Sequence, residues 1–195
     1  MRDVQRAMKD IAEEVLEVSN DLSAEQVDGF IQELLKSKRI FVIGAGRSGL
    51  VARAFAMRLM HLGLDTFVIG ETTTPALHAE DVLVAVSGSG ETSFVVSAAN
   101  IAKKIGAKLA TVTSYPKSVL AMMSDFVVTL PGRTKTETTS DFMHRELKGE
   151  YAPVAPLGTL FEIAALIFLD AVITGLMTAL GKKEEDLRAR HATIE

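Results

Sequence analysis

The sequence predicts a doubly wound α/β fold, a five-stranded parallel sheet flanked by helices and preceded by two N-terminal helices. Three observations carry that prediction. Short, apolar, β-branched runs alternate with helical periodicities along the middle of the chain, and such alternation builds βαβ units with right-handed crossovers. Two of those runs end in glycine-rich turns that open helices, Gly44-Ala45-Gly46-Arg47-Ser48-Gly49 and Ser87-Gly88-Ser89-Gly90-Glu91-Thr92. The length of 195 residues suits one full α/β core without a second domain.

The elements follow in order. Val4, Met8, Ile11, Val15 and Val18 alternate steps of four and three, one apolar stripe of a helix. Ser23-Ala24-Glu25-Gln26 has capping-box spacing and opens a second helix, with Val27, Phe30, Ile31, Leu34 and Leu35 on its buried face. Residues 1–37 thus read as a helical arm that packs on the sheet or on a neighbouring subunit. Strands are expected near 39–44, 65–69, 82–87, 108–113 and 125–130, each apolar on both faces as buried parallel strands are. Helices fill 48–62, 92–105 and 116–123.

After Leu130 the pattern breaks. Residues 131–156 are polar and Thr-rich, with part of the segment helical around 141–148, and so long a segment inside a compact domain is expected to carry function. A last helix over 158–181 completes a core spanning 38–181, and a charged tail covers 182–195. Ile163 to Leu180 is nearly all apolar and borders on membrane-spanning length. Asp170 in its middle, Glu162 at its start and its place at the end of an α/β pattern favour a soluble helix buried on all sides, and hence a subunit interface.

Composition narrows the function classes. The apolar share is 48% and the charged share 24%, a soluble globular mixture. A net charge of −4 disfavours a nucleic-acid surface, which polyanions require to be basic. With no cysteine there is no disulfide scaffold and no thiolate metal site, which suits a reducing compartment. The opening Met1-Arg2-Asp3 leads into mixed charges and not an apolar signal core, so a cytoplasmic location is expected.

Both turns sit where open α/β sheets bind ligands, at the carboxyl ends of strands, with unpaired amides and a favourable dipole at each helix start. Gly44-x-Gly46-x-x-Gly49 matches the dinucleotide fingerprint, but the acid that should hold a ribose is met only by Glu71, late and beyond Gly70. The second turn offers three hydroxyls, Ser87, Ser89 and Thr92, between Gly88 and Gly90, which suits a phosphate monoester. The alternative is an ordinary capped turn. A Walker spacing is absent. Glu91 would repel a phosphate if aimed inward, so it is expected to face outward or hold the loop. Ser48 either adds a fourth hydroxyl or caps its helix.

Thr159 and Glu162 have capping-box spacing, so Glu162 reads first as a cap of the last helix. It also stands between Phe161 and Ile163, where burial and the helix N-terminus pull its acidity in opposite directions, a setting for a general base. The histidines are scattered at 61, 78, 144 and 191, and no HExxH spacing or carboxylate cluster suggests a metal. His61 ends the helix after the first turn, a helix length from that turn, so it could reach a phosphate site only across a subunit boundary.

Gly44–Ser48, Ser87–Thr92 and their spacing resemble the SIS (sugar isomerase) domain, a flavodoxin-like three-layer fold. With Arg58-Leu59-Met60-His61, Val68–Thr72, Ala155–Glu162 and Arg190-His191-Ala192, nearly the whole chain resembles the 6-phospho-3-hexuloisomerase family. That resemblance implies a metal-free and cofactor-free isomerase that interconverts 3-hexulose 6-phosphate and fructose 6-phosphate. It also implies a homotetramer with sites between subunits. Under it Glu162 is the base and His61 of another subunit the acid. Ser48, Ser87, Ser89 and Thr92 hold phosphate with the amides near Gly88 and Gly90, and Gly46 and Arg47 contact substrate. An isomerase of arabinose or heptose phosphates, a non-catalytic phosphosugar sensor and a nicotinamide dehydrogenase remain as alternatives.

Overall fold

The computed structural model describes residues 2–132 and 158–193. Most of the 131–156 segment, including His144 and the helix expected at 141–148, lies outside the described residues. Helices α1 (Arg2–Asn20) and α2 (Ala24–Lys36) precede β1 (Ile40–Gly44), α3 (Gly46–Leu62), β2 (Thr66–Val68), β3 (Val82–Val86) and α4 (Ser93–Ile105). Then come β4 (Lys108–Thr113), α5 (Val119–Met123), β5 (Phe126–Thr129), α6 (Thr159–Leu180) and α7 (Glu184–Arg188). Among the described residues the expected elements are present within a few residues; α7 is an addition inside the charged tail.

The five strands are parallel in the order β2-β1-β3-β4-β5. From β1 the chain crosses to β2 on one side and then returns to β3 on the other. The crevice at the carboxyl ends of β1 and β3 is therefore the switch point where open α/β sheets take ligands. Register sharpens this. Ile40 pairs with Val82 and Gly44 with Val86, so both glycine-rich turns leave adjacent strands at the same level.

Alternation along the strands feeds two cores. Ile40, Val42, Val82, Val84 and Val86 face α2, α3 and α6, where Phe30 lies 6.4 Å from Phe55 and 6.0 Å from Phe168. Phe41, Ile43, Leu83, Ala85 and Leu109 face the opposite side, against Val95, Ala99 and Ala102 of α4. At the amino end of the sheet, Arg39 donates from Nε (3.0 Å) and Nη2 (2.6 Å) to the fully buried Asp81.

The helical arm splits its work: α2 packs on β5 and α1 packs on α6. Ser23 Oγ accepts from the Gln26 amide at 3.3 Å, but the reciprocal half of the capping box is not made. Gln26 Oε1 instead accepts from the Thr129 amide at 3.0 Å, covering part of an edge strand that would otherwise stay unpaired.

The apolar helix α6 is a core helix, lying against α1, α2 and α3 with Phe161, Ala165, Leu169, Val172 and Leu176 buried. Within one chain this burial covers the inner side only. Leu166 and Ile167 stay exposed, and Asp170 on the outer side pairs with Arg58 of α3 at 3.7 Å. One face of the helix therefore remains at the surface of the single chain.

Candidate functional site

The three glycines of the first turn answer to three local demands. A Cβ on Gly44 would lie 2.7 Å from the Ser48 carbonyl oxygen and 2.8 Å from the Gly49 nitrogen. A Cβ on Gly49 would lie 2.9 Å from the Gly44 oxygen. These two glycines let the end of β1 touch the first turn of α3. Gly46 has φ +57° with open space around it, so it supplies a left-handed turn where a side chain would be strained and not blocked. Its helix starts with Ala45 as the N-cap, which places Ser48 in the first turn; Ser48 is not the cap.

Three carbonyls of the second turn are engaged inside the protein. Ser87 O accepts from the Gly90 amide at 3.1 Å and Gly88 O from Ser114 N at 3.0 Å. Gly90 O accepts from Leu120 N at 3.1 Å. Among the described residues, the amides of Gly88, Ser89 and Thr92 make no internal hydrogen bond. A trans peptide points its N–H opposite its carbonyl, so the tie of Gly88 O to the end of β4 aims the Ser89 amide away from β4.

One expectation about this turn is corrected. The Gly90 amide is not available to a phosphate, because it also donates to Ser87 Oγ at 3.2 Å. Its φ of +64° makes Gly90 a turn residue. Ser87 Oγ is buried, accepting that bond and lying 3.3 Å from Thr92 Oγ1. It braces the turn and also lines the cavity, while Ser89 and Thr92 carry the more exposed hydroxyls. Glu91 faces outward and holds the loop, as expected, with Oε1 accepting from the Val119 amide at 2.8 Å.

Glu162 arrives from the far end of the chain. Gly158, in the left-handed region at φ 90°, is the N-cap of α6, and its carbonyl accepts from the Glu162 amide at 3.3 Å. The Thr159–Glu162 capping box is therefore not formed: a left-handed glycine takes the cap position and shifts Thr159 into the helix. The Glu162 carboxylate, 18% exposed, instead meets Arg47, with Oε2 2.9 Å from Nε. Gly132, at the exit from β5, packs on the Phe161 backbone and fixes the level of this turn.

A cavity of about 460 Å³ joins these parts. Gly46, Arg47 and Ser48 line it from α3, with Ser87, Gly88, Ser89 and Thr92 from the second turn. Phe161 and Glu162 close it from α6. Three helix N-termini converge on one space, each adding partial positive charge. Glu162 is the only carboxylate among the described residues of the lining. Sequence reasoning did not single out Phe161 and Gly158 as walls; the glycine just before the helix was the available signal for the latter.

His61 is not brought to this cavity within one chain. It sits in the last turn of α3, roughly 20 Å of helix from Gly46, and is buried with its ring 4.8 Å from that of His191. Arg190 packs its guanidinium on Gly63 beside the same helix end. The dinucleotide reading loses support. The smaller hollow between α3 and β2 is lined by Gly44, Gly49, Arg53, Val68 and Ile69, without Glu71.

Comparison with known proteins agrees with this geometry. The SIS domain pattern matches residues 33–143. A 3-hexulose-6-phosphate isomerase of Mycobacterium gastri is 40% identical over 193 residues, which covers 99% of this chain and 92% of the relative. An uncharacterized protein of Aeropyrum pernix is 47% identical over 194 residues, covering 97% of this chain and 92% of that one. Among crystal structures, a hypothetical protein 43% identical superposes with a TM-score of 0.87, covering 100% of this chain and 98% of the other. A Methanococcus jannaschii protein, 31% identical with a TM-score of 0.77 over the whole of both chains, has a structure from which 3-hexulose-6-phosphate isomerase function was inferred. The glycine-turn crevice at the β1/β3 switch point and these near full-length matches agree: the chain belongs to the SIS domain family, as a phosphosugar isomerase related to the 3-hexulose-6-phosphate isomerases.

Proposed function

We propose that the chain interconverts 3-hexulose 6-phosphate and fructose 6-phosphate in the cavity between the two glycine-rich turns and α6. The observation that carries this reading is the placement of one carboxylate, Glu162, across the cavity from a cradle of hydroxyls and backbone amides. Phosphate binding at Ser48, Ser89, Thr92 and the amides of Gly88 and Ser89 anchors one end of the sugar. The other end extends toward Glu162. Anchoring makes the proton transfer effectively intramolecular.

The reaction moves the carbonyl from C3 to C2. Glu162 removes the proton on C2, and the electron pair forms the C2–C3 double bond of an enediolate with the charge on O3. A proton moves from O2 to O3, and Glu162 returns its proton to C3, leaving the carbonyl at C2. Atoms and electrons balance without a redox partner. Arg47, paired with Glu162, holds the carboxylate in place and adds positive charge beside the developing enediolate.

We infer further that the chain works as a cytoplasmic homo-oligomer, a tetramer as the resemblance implies. The exposed apolar side chains Leu50, Met57 and Met60 of α3 and Leu166 and Ile167 of α6 support an association surface. His61 joins the chemistry only in an assembly that brings the end of one α3 to a second chain's cavity. Direct observation of each ketose–aldose or ketose–ketose conversion by NMR in deuterated water, with solvent deuterium entering the reacting carbon, run on 3-hexulose, arabinose and heptose phosphates, tests the substrate. A clear preference for either of the latter two overturns the assignment.

A further inference from the structure

The phosphate-facing turn contains a carboxylate, which is a puzzle in a site built for an anion. Glu91 stands between Gly90 and Thr92, yet it does not line the cavity. Its Oε1 accepts from the Val119 amide at 2.8 Å, the first residue of α5. The next amide, Leu120 N, donates to Gly90 O at 3.1 Å. Ser118, the N-cap of α5, packs against Gly90. Two successive amides of α5 therefore hold two successive residues of the turn.

The other flank of the turn is tied to β4. Gly88 O accepts from Ser114 N at 3.0 Å and from Thr113 Oγ1 at 3.2 Å. These ties hold the Gly88 and Gly90 carbonyls and the Gly90 amide. The Ser89 amide keeps its direction away from β4 because the carbonyl behind it is fixed. Gly90, at φ +64°, is the soft point of the turn, and Glu91 is its far anchor.

We propose that Glu91 is a positioning residue for phosphate binding, acting through the hydrogen bond to α5 and not through its charge. The inference rests on the phosphate site proposed above. Its logic separates acceptor from charge. Glutamine keeps an acceptor oxygen at the same reach. Alanine removes the tie. Aspartate keeps the charge but is one methylene too short to reach the Val119 amide while the backbone stays in place.

The test uses the full chain and inorganic phosphate as the probe. Its dissociation constant is measured by calorimetric titration for wild type, Glu91→Gln, Glu91→Ala and Glu91→Asp, beside KM and kcat for the sugar phosphate and a melting curve for each protein. Glu91→Gln is expected to match wild type. Glu91→Ala and Glu91→Asp are expected to weaken phosphate about tenfold, through the aim of the adjoining Thr92 amide and hydroxyl, and to raise KM by the same factor with kcat nearly unchanged. Equal phosphate affinity in all four folded proteins overturns the proposal. So does a Gln variant as impaired as Ala, which would make the charge the active property. If the series runs as expected while no sugar phosphate is turned over, the positioning role stands and the isomerase reading falls. A wild-type protein that binds no phosphate at millimolar concentration overturns the positioning role, and one that also turns over no sugar phosphate overturns both.

Discussion

Gly44→Ala tests whether the first glycine turn works by close approach. The added Cβ would sit 2.7 Å from the Ser48 carbonyl oxygen, about 0.7 Å inside the 3.4 Å at which ordinary contact begins. The Gly49 nitrogen and the Ser48 carbonyl carbon, both at 2.8 Å, block escape on the same side. All three obstacles are backbone atoms of the first turn of α3, so no side chain can rotate away. Either β1 or the start of α3 must move by several tenths of an ångström. Overpacking of this kind costs about 1–3 kcal/mol. For a chain of this size that lowers the melting temperature by about 2–12 °C. The activity loss should be larger than the stability loss suggests, because Arg47 and Ser48 ride on the turn that shifts. A 1 Å misplacement can cost about a hundredfold, so kcat/KM is expected to fall at least about tenfold. Gly46→Ala is the comparison. It meets nothing within 4 Å but must hold φ +57°, so it carries only the left-handed strain of about 1 kcal/mol. Thermal unfolding and the isomerase assay read both variants. A Gly44→Ala protein that melts and turns over like wild type would refute the close-approach argument.

Glu162→Gln removes the proposed base while keeping its shape, and kcat is expected to drop by about 10²–10⁴ with little change in melting temperature. Near-normal turnover in the folded variant removes Glu162 from the mechanism. Ser89→Ala combined with Thr92→Ala should raise KM by at least about tenfold, since each hydrogen bond to a charged group is worth about 1.5–3 kcal/mol. Ser87→Ala should instead lower the melting temperature, because its hydroxyl is buried and holds the Gly90 amide. The reverse pattern would exchange their roles.

Acid sensitivity is expected from Asp81 and Asp125. Burial pushes both carboxyls up, but hydrogen bonds from Arg39 and the His78 amide to Asp81, and from Lys103 and the Leu109 amide to Asp125, outweigh it. Both are held below their ordinary 3.8. Carboxyls depressed in the folded state stabilise it above pH 3.8, and that stability is lost as pH falls through the folded values. Denaturant unfolding should therefore weaken steeply below about pH 4 and stay level from there to neutrality, as far as these two groups govern it. The acid dependence should shrink in Asp81→Asn, and an unchanged acid limb in that variant counts against the account.

Local signals were legible along the chain. Alternating apolar runs located the strands, because a β-branched run buried on both faces has few other uses. The glycines marked both turns, since each needs a backbone conformation or an approach that a side chain forbids. The capping of α6 was misread for a related reason. Thr159 and Glu162 have the spacing of a capping box, yet the cap falls on whichever residue leaves helical geometry, and Gly158 at φ 90° does so first. The availability of the Gly90 amide could not be read at all, because its partner is set by the closed shape of the turn.

By itself the sequence determined the elements, their parallel pairing and the chemistry of the two turns, because those depend on side-chain period and on residues a few positions apart. Only the tertiary structure decided which elements are neighbours. The strand order β2-β1-β3-β4-β5 and the pairing of Gly44 with Val86 set the two turns side by side. Packing of α6 on α3 then brought Glu162 to 2.9 Å from Arg47, across more than half the chain. Hydrogen-bond register and helix packing are fixed by contacts between distant segments, and no local spacing encodes them.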